Sequence, residues 1–145
     1  MARFAVSLAV VVIAFGTDEV TPITDQITAE LADRGHRVLD VAKGAEWPDV
    51  GKAVGEAVST GKTEMGVVCC WTGTGVSIAA NKVAGVRAAL CVDAETARGA
   101  RRWNDANVLA VSLRLTSSAV ATELLDAFLG GEVDADEVDT IARIP

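Results

Sequence analysis

The chain alternates between short apolar runs and amphipathic stretches, and this alternation predicts its secondary structure. Apolar runs of strand length cover residues 5–15, 37–41, 65–70, 86–92 and 108–113. The stretches between them carry apolar residues at helical spacing, over residues 22–34, 49–61, 74–82, 94–103 and 117–130. A short acidic helix is predicted over residues 134–142. The predicted order is therefore strand and helix in strict alternation.

Local signals support these boundaries. Thr21 and Pro22 are typical of a helix start, and Gly35 is typical of a helix end. Short apolar strands separated by single helices indicate an α/β fold with a mainly parallel sheet and helices on both faces. We therefore predict a three-layer, doubly wound (Rossmann-like) sheet of five strands in a single domain over residues 1–145.

The first apolar run has three possible interpretations. Residues 4–15 are almost wholly apolar behind a single basic residue, Arg3. A long buried strand is the interpretation we adopt. A secretion signal would need a more positively charged N-terminal region and a cleavage site of small residues. A membrane span would need a longer apolar run.

Composition excludes some classes of partner and site. Half of the residues are apolar and the net charge is −7, which argues against nucleic-acid binding, because phosphate contacts need clustered Lys and Arg. Cys69, Cys70 and Cys91 make an odd number without the spacing of a zinc site. Free thiols indicate a reducing compartment, so we expect a cytoplasmic protein that does not bind a membrane.

Three segments carry candidate chemistry. Residues 16–19 follow the first strand, residues 70–77 follow the third, and residues 103–107 precede the fifth. Ligands of such sheets bind beyond the carboxyl ends of the strands. The last segment lies at the amino end of its strand, so we expect it to reach the site by looping over the fourth helix.

The glycine-rich turn after Cys70 allows two interpretations. Its backbone N–H groups at a helix start could hold a phosphate or a developing oxyanion. The alternative is a tight turn with no ligand. Cys70 itself is either a base or nucleophile at a helix N-terminus or a small buried apolar residue.

Longer motifs make the pattern specific. Residues 70–82 read C-W-T-G-T-G-V-S-I-A-A-N-K, which resembles the signature C-G-T-G-x-G-x-S-I-A-A-N-K of type B ribose-5-phosphate isomerases and galactose-6-phosphate isomerase subunits. Residues 13–18, 85–91 and 97–109 resemble three further motifs of that family. The resemblance extends over residues 11–131.

The resemblance implies an aldose–ketose isomerase that acts through a cis-enediolate and needs neither a metal nor a cofactor. In this resemblance, Cys70 would be the base and Thr72 would assist the movement of a proton. The backbone N–H groups of Gly73, Thr74 and Gly75 would donate hydrogen bonds. Asp18 and Asn104 would bind substrate hydroxyl groups, and Arg114 would bind phosphate. Arg114 would act in the partner's site of a homodimer. The resemblance thus implies a small sugar or sugar phosphate as substrate and shared active sites.

Several positions depart from the family pattern. Glu19 and Trp103 stand where the family has histidines, and Trp71 stands where it has a glycine. These three residues would still line the substrate site. The basic tail that grips phosphate in the family is replaced by acidic residues at 130–136, which would repel a dianion. The single histidine, His36, follows a helix end and is interpreted as structural.

Three hypotheses follow from this mixture. The first is an isomerase with altered sugar specificity, with Glu19 as a substitute acid for ring opening or an open-chain substrate. The second is a non-catalytic homologue or partner subunit that binds a sugar or sugar phosphate. The third is a thiol-dependent enzyme of another class, which only the adjacent cysteines suggest.

Overall fold

Within the described residues, the protein forms a five-stranded parallel sheet. The structure, a computed structural model, describes residues 10–145. Its strands are β1 (Val12–Thr17), β2 (Arg37–Lys43), β3 (Met65–Cys70), β4 (Ala88–Leu90) and β5 (Val108–Ser112), in the order β2-β1-β3-β5-β4. All four strand pairs are parallel. The predicted doubly wound fold is therefore confirmed, although the part of the predicted first strand over residues 5–9 lies outside the described residues.

Helices connect the strands as the alternation predicts. They are α1 (Pro22–Asp33), α2 (Trp47–Ser59), α3 (Thr74–Asn81), α4 (Ala94–Asn104), α5 (Ser118–Leu129) and α6 (Val138–Ile141), the last preceded by a 3-10 turn over Ala135–Glu137. Thr21 forms a reciprocal capping box with Thr24, and Gly35 follows α1 with a φ of 86°. Of the helices in the described part, none has the length and apolar character to cross a membrane.

Two cores lie on opposite faces of the sheet. One face packs against α1, α4 and α5 around Phe15, Leu109 and Phe128. The other packs against α2 and α3 around Val54 and Val68. Because successive strand residues point to opposite faces, each central strand contributes to both cores. This burial on both sides explains why β1, β3 and β5 are almost continuously apolar.

The fourth strand is shorter than the predicted run of residues 86–92. Its first residue, Ala88, donates its N–H to Asn81 Oδ1 (2.8 Å) and accepts from Asn81 Nδ2 (3.0 Å). The side chain at the end of α3 thus takes the place of a neighbouring strand. Ahead of it, the Arg87 N–H donates to Asn107 Oδ1 (2.7 Å), so residues 86 and 87 belong to the connection.

Candidate active site

The carboxyl ends of the three central strands bring together most of the predicted site. Asp18 follows β1 and donates its N–H to the carbonyl of Cys69 (3.3 Å). Leu113 and Arg114 follow β5, and their N–H groups donate to the carbonyls of Cys70 (3.0 Å) and Trp71 (2.8 Å). These backbone bonds fix the start of each loop, so Asp18, Cys70 and Arg114 lie at one edge of the sheet.

The adjacent cysteines have different environments. Cys69 points into the core beneath α1, α4 and α5 and is fully buried, whereas Cys70 points toward α2 and α3 and keeps 5% of its surface exposed. Burial, with the nearby Cys70 and Asp18, raises the pKa of Cys69 far above its ordinary value. Cys69 is therefore a protonated core residue.

The third cysteine is also a poor base. Cys91 is buried at the end of β4, and burial together with the charge of Asp93 raises its pKa to about 11. Its Sγ lies 3.6 Å from the carbonyl oxygen of Ala89. By position, Cys70 is the thiol that meets the glycine turn.

The turn after Cys70 depends on one glycine with an unusual backbone. Gly73 has a φ of 77°, and a Cβ there would lie 2.5 Å from Leu90 Cδ1 and 3.0 Å from the Ser112 nitrogen. Only glycine fits this position without strain. The turn therefore lies directly on the end of β5, where the backbone can approach a ligand closely.

The three N–H groups predicted as donors in this turn are not equally free in the structure. Thr74 donates its N–H to Thr72 Oγ1 (3.3 Å), so this group is already paired in the structure. Within residues 10–145, the N–H groups of Gly73 and Gly75 have no acceptor. Two of the three predicted donors are thus available at the N-terminus of α3.

An open cleft of about 560 Å³ lies beside the end of β1. It is lined by Asp18, Glu19, Gly44, Ala45, Glu46, Trp47 and Pro48. Asp18 Oδ1 accepts the N–H of Glu19 (2.7 Å), which orders the start of the loop. Sequence reasoning did not assign Trp47 to the site. The sequence feature that could have indicated Trp47 is its position at the start of α2, because the N-terminus of this helix lies at the same edge of the sheet.

The segment with Trp103 and Asn104 does not join this edge. Contrary to the expectation that it loops over the fourth helix, it ends α4 at the amino end of the sheet. The physical reason is a set of bonds from Arg87 and Asn107: Arg87 Nε donates to the Asp105 carbonyl (2.7 Å), and Asn107 Nδ2 donates to Gly85 (3.0 Å). Within one chain, Trp103 and Asn104 are therefore separated from Cys70 by the length of β5.

Acidic side chains neutralise the two arginines in the last turn of α4. Arg102 Nη2 lies 3.1 Å from Asp134 Oδ2, and its guanidinium lies 5.9 Å from the centre of the Trp103 ring. Arg101 pairs with Asp105 at 3.3 Å and is largely buried. Arg114 is exposed and makes no ion pair within the described part of the chain. Arg114, the predicted phosphate-binding residue, thus lies at the carboxyl edge without an ion pair among the described residues.

The described residues offer no ready metal site. No group of three or more His, Cys, Asp or Glu side chains within residues 10–145 is placed to hold a metal ion.

Comparisons with known proteins agree with the fold and with the motifs. Galactose-6-phosphate isomerase subunit LacB of Clostridium acetobutylicum is 41% identical over 123 residues, which cover 81% of this chain and 71% of LacB. Ribose-5-phosphate isomerase B of Escherichia coli is 39% identical over 127 residues (84% of this chain, 85% of the relative). D-erythrulose-4-phosphate isomerase of Pectobacterium atrosepticum is 35% identical over 128 residues, 84% of each protein.

A solved structure shows the same architecture. Ribose-5-phosphate isomerase B of Clostridium thermocellum superposes with a TM-score of 0.87 at 35% identity, over 92% of this chain and 94% of that one. The family described as Ribose/Galactose Isomerase matches residues 13–144. Because this match covers most of the chain and three relatives are at least 35% identical to it, the chain belongs to the Ribose/Galactose Isomerase family, and the relatives described above are named as sugar-phosphate isomerases or as a subunit of one.

Proposed function

We propose that this sugar-phosphate isomerase homologue interconverts an aldose and a ketose through a cis-enediolate, with Cys70 as the base. The observation that carries the proposal is the position of Cys70. It ends β3, faces the α2–α3 side, and directly precedes a turn whose Gly73 and Gly75 N–H groups are unpaired within the described residues. Family membership supplies the reaction class.

The proposed chemistry needs one proton to move between two carbons. The Cys70 thiolate takes the proton from C2 of the open-chain aldose; the C–H electron pair forms the C1–C2 double bond, and the carbonyl electrons move to O1. Unpaired N–H groups of the turn stabilise the negative O1. Thr72 passes the O2 proton to O1, and Cys70 returns its own proton to C1, which gives the ketose.

Deuterium exchange with a panel of sugars tests the proposal and does not require that the substrate be known beforehand. Tetroses, pentoses and hexoses, each with and without a phosphate group, are incubated with the protein in deuterated buffer and followed by NMR. We expect deuterium at C1 or C2 of at least one sugar. We also expect ribose 5-phosphate to be a poor substrate, because Trp71 and the acidic residues change the family's site. Absence of exchange for every sugar would overturn the proposal.

Paired cysteine variants test the role of Cys70. Cys70→Ala should lower exchange on the order of 10²–10⁴-fold, since general base catalysis contributes this much. Cys69→Ala is the matched control, because its side chain faces the opposite core and should leave exchange near the wild-type rate. Circular dichroism checks that both variants fold. Equal loss in both variants would show that the loss is structural.

A non-catalytic partner subunit is the second candidate function. Its support is that the relative LacB is named as a subunit, and that Trp71 and Trp103 occupy positions where the family pattern has glycine and histidine. In that case the purified chain would show no exchange with any sugar, while still binding one. Exchange that appears only after a second, different chain is added would favour this candidate.

A further inference from the structure

All three tryptophans of the chain lie at the surface. Trp47, Trp71 and Trp103 are 46%, 52% and 50% exposed. An indole buries a large apolar area when it enters a core, so leaving each of them half exposed forgoes that stabilisation. Exposed tryptophan is common where proteins bind ligands or partners. Trp47 and Trp71 both lie at the carboxyl edge of the sheet, beside the glycine turn.

Trp47 packs against the glycine turn itself. A Cβ atom added to Gly75 would lie 2.8 Å from both Cδ2 and Cε3 of the Trp47 ring. The ring therefore covers the start of α3 on one side and lines the cleft beside Asp18 on the other. A molecule held by the N–H groups of the turn and extending into this cleft would meet the face or edge of the indole.

The cleft carries negative charge. Asp18, Glu19 and Glu46 line it, and no Lys or Arg among the described residues does, although Lys43 precedes it on β2. Glu46 is exposed and its side chain makes no capping hydrogen bond to α2. Carboxylates accept hydrogen bonds from hydroxyl groups, whereas they repel a phosphate dianion at the same distance.

We infer that Trp47 and Glu46 are specificity-determining residues, and that the cleft they line receives the unphosphorylated hydroxyl-bearing end of a sugar. This inference rests on the proposed function, since it assigns the substrate class of the same site. The apolar C–H face of the sugar packs on the indole, and its hydroxyl groups donate to the carboxylates. A terminal phosphoryl group is disfavoured in this cleft.

Reversal of the charge at Glu46 tests whether the carboxylates of the cleft disfavour a phosphoryl group. Binding of D-ribose, D-ribose 5-phosphate, D-erythrulose and D-erythrulose 4-phosphate is measured by titration calorimetry, which needs no turnover. Glu46→Lys should improve the affinity for each phosphorylated sugar, relative to its free form, on the order of tenfold in low salt. Glu56→Lys is the matched control, because it makes the same charge change about 15 Å further along α2.

Substitution of Trp47 tests whether a sugar packs on the indole ring. Trp47→Ala should weaken binding of the free sugars about tenfold, while Trp47→Phe should retain most of it, since a smaller ring still offers an apolar face. Thermal unfolding verifies that each variant is folded. The inference would be overturned if Glu46→Lys and Glu56→Lys changed the relative affinity for phosphorylated sugars equally. Equal affinities of the two Trp47 variants for the free sugars would also overturn it.

The two proposals fail in different ways. If deuterium exchange is absent but Glu46→Lys changes the preference for phosphate, the proposed reaction is wrong and the assignment of the cleft stands. If wild-type protein exchanges sugars but Glu46→Lys leaves the preference for phosphorylated over free sugars unchanged, the reaction stands and the cleft assignment is overturned. Failure to bind any of the four sugars would also overturn it.

Discussion

At the scale of single residues, neighbouring positions in this protein perform opposite tasks. Cys69 and Cys70 share one strand end, yet one thiol is locked into the core and the other faces the glycine turn. Gly73 and Thr74 are likewise adjacent. The N–H of Thr74 is paired to Thr72 Oγ1, while that of Gly73 has no acceptor within residues 10–145. Roles in such a site are therefore set by side-chain direction and backbone pairing at each position.

We expect His36 to make the stability of the protein sensitive to mild acid. Its Nδ1 accepts the N–H of Val11 (3.3 Å), and its Nε2 is buried without a partner within the described chain. Burial, and then the positive charge of Arg34, lowers the pKa of His36 below 6.5. The neutral form is thus favoured in the folded state. Its contribution to stability is complete above about pH 6.5 and is lost as pH falls toward the lower folded pKa.

We therefore expect the free energy of unfolding, measured by urea denaturation, to fall as the pH drops from about 7 to about 5.5, a window that spans the ordinary histidine pKa. The variant His36→Gln keeps a polar side chain but cannot titrate, so its stability should change less over the same range. Carboxylates of ordinary pKa titrate mainly below this window. Identical slopes in the wild type and the variant would show that His36 does not cause the pH dependence.

At the scale of elements, the position of the glycine turn depends on how closely α2 and α3 pack. A Cβ at Gly51 would lie 2.5 Å from Ala79 Cβ and 2.8 Å from the Val76 carbonyl oxygen. Gly51→Ala should therefore cost about 1–3 kcal/mol in the free energy of unfolding, because overpacking outweighs the gain in helix propensity. It should also reduce isomerase activity, since α3 carries the turn.

Gly99→Ala provides the matched control for this prediction. It also places a methyl group within a helix, but its near neighbours are ring atoms of Trp103, a half-exposed side chain that can rotate away. Its stability should change by less than about 1 kcal/mol. Urea denaturation of both variants measures the difference. Equal costs would mean that the contact between α2 and α3 yields readily.

How far the sequence predicts the structure depends on the range of the interaction. The ends of β3 and the cap at Thr21 follow from short-range patterns, and the structure confirms both. The later start of β4 could not be predicted, because it depends on Arg87 donating its N–H to Asn107, 20 residues away in the chain. Trp47 was missed for the same reason, since its contact with Gly75 joins two helices.

At the scale of the whole molecule, the predicted site is divided between two edges of the sheet. Cys70, Asp18 and Arg114 lie at the carboxyl edge, whereas Trp103 and Asn104 lie at the amino edge. Because β5 spans five residues, roughly 15 Å of sheet separates them. If Asn104 binds the substrate of Cys70, it must come from a second copy of the chain. A two-fold homodimer with shared sites, as the resemblance implies, would satisfy this requirement.

Complementation between two inactive variants tests this arrangement. Cys70→Ala removes the proposed base, and Asn104→Ala removes a hydroxyl-binding group on the opposite edge. Each homodimer should be impaired in deuterium exchange. Equal amounts of the two variants are unfolded, combined and refolded, so about half of the dimers should contain one chain of each variant. Each such heterodimer has one intact site. About a quarter of wild-type activity should therefore return. Sedimentation checks that dimers have formed. If only monomer is found at micromolar concentration, or if mixing restores no activity while both variants fold, Asn104 does not act in the site of a partner chain.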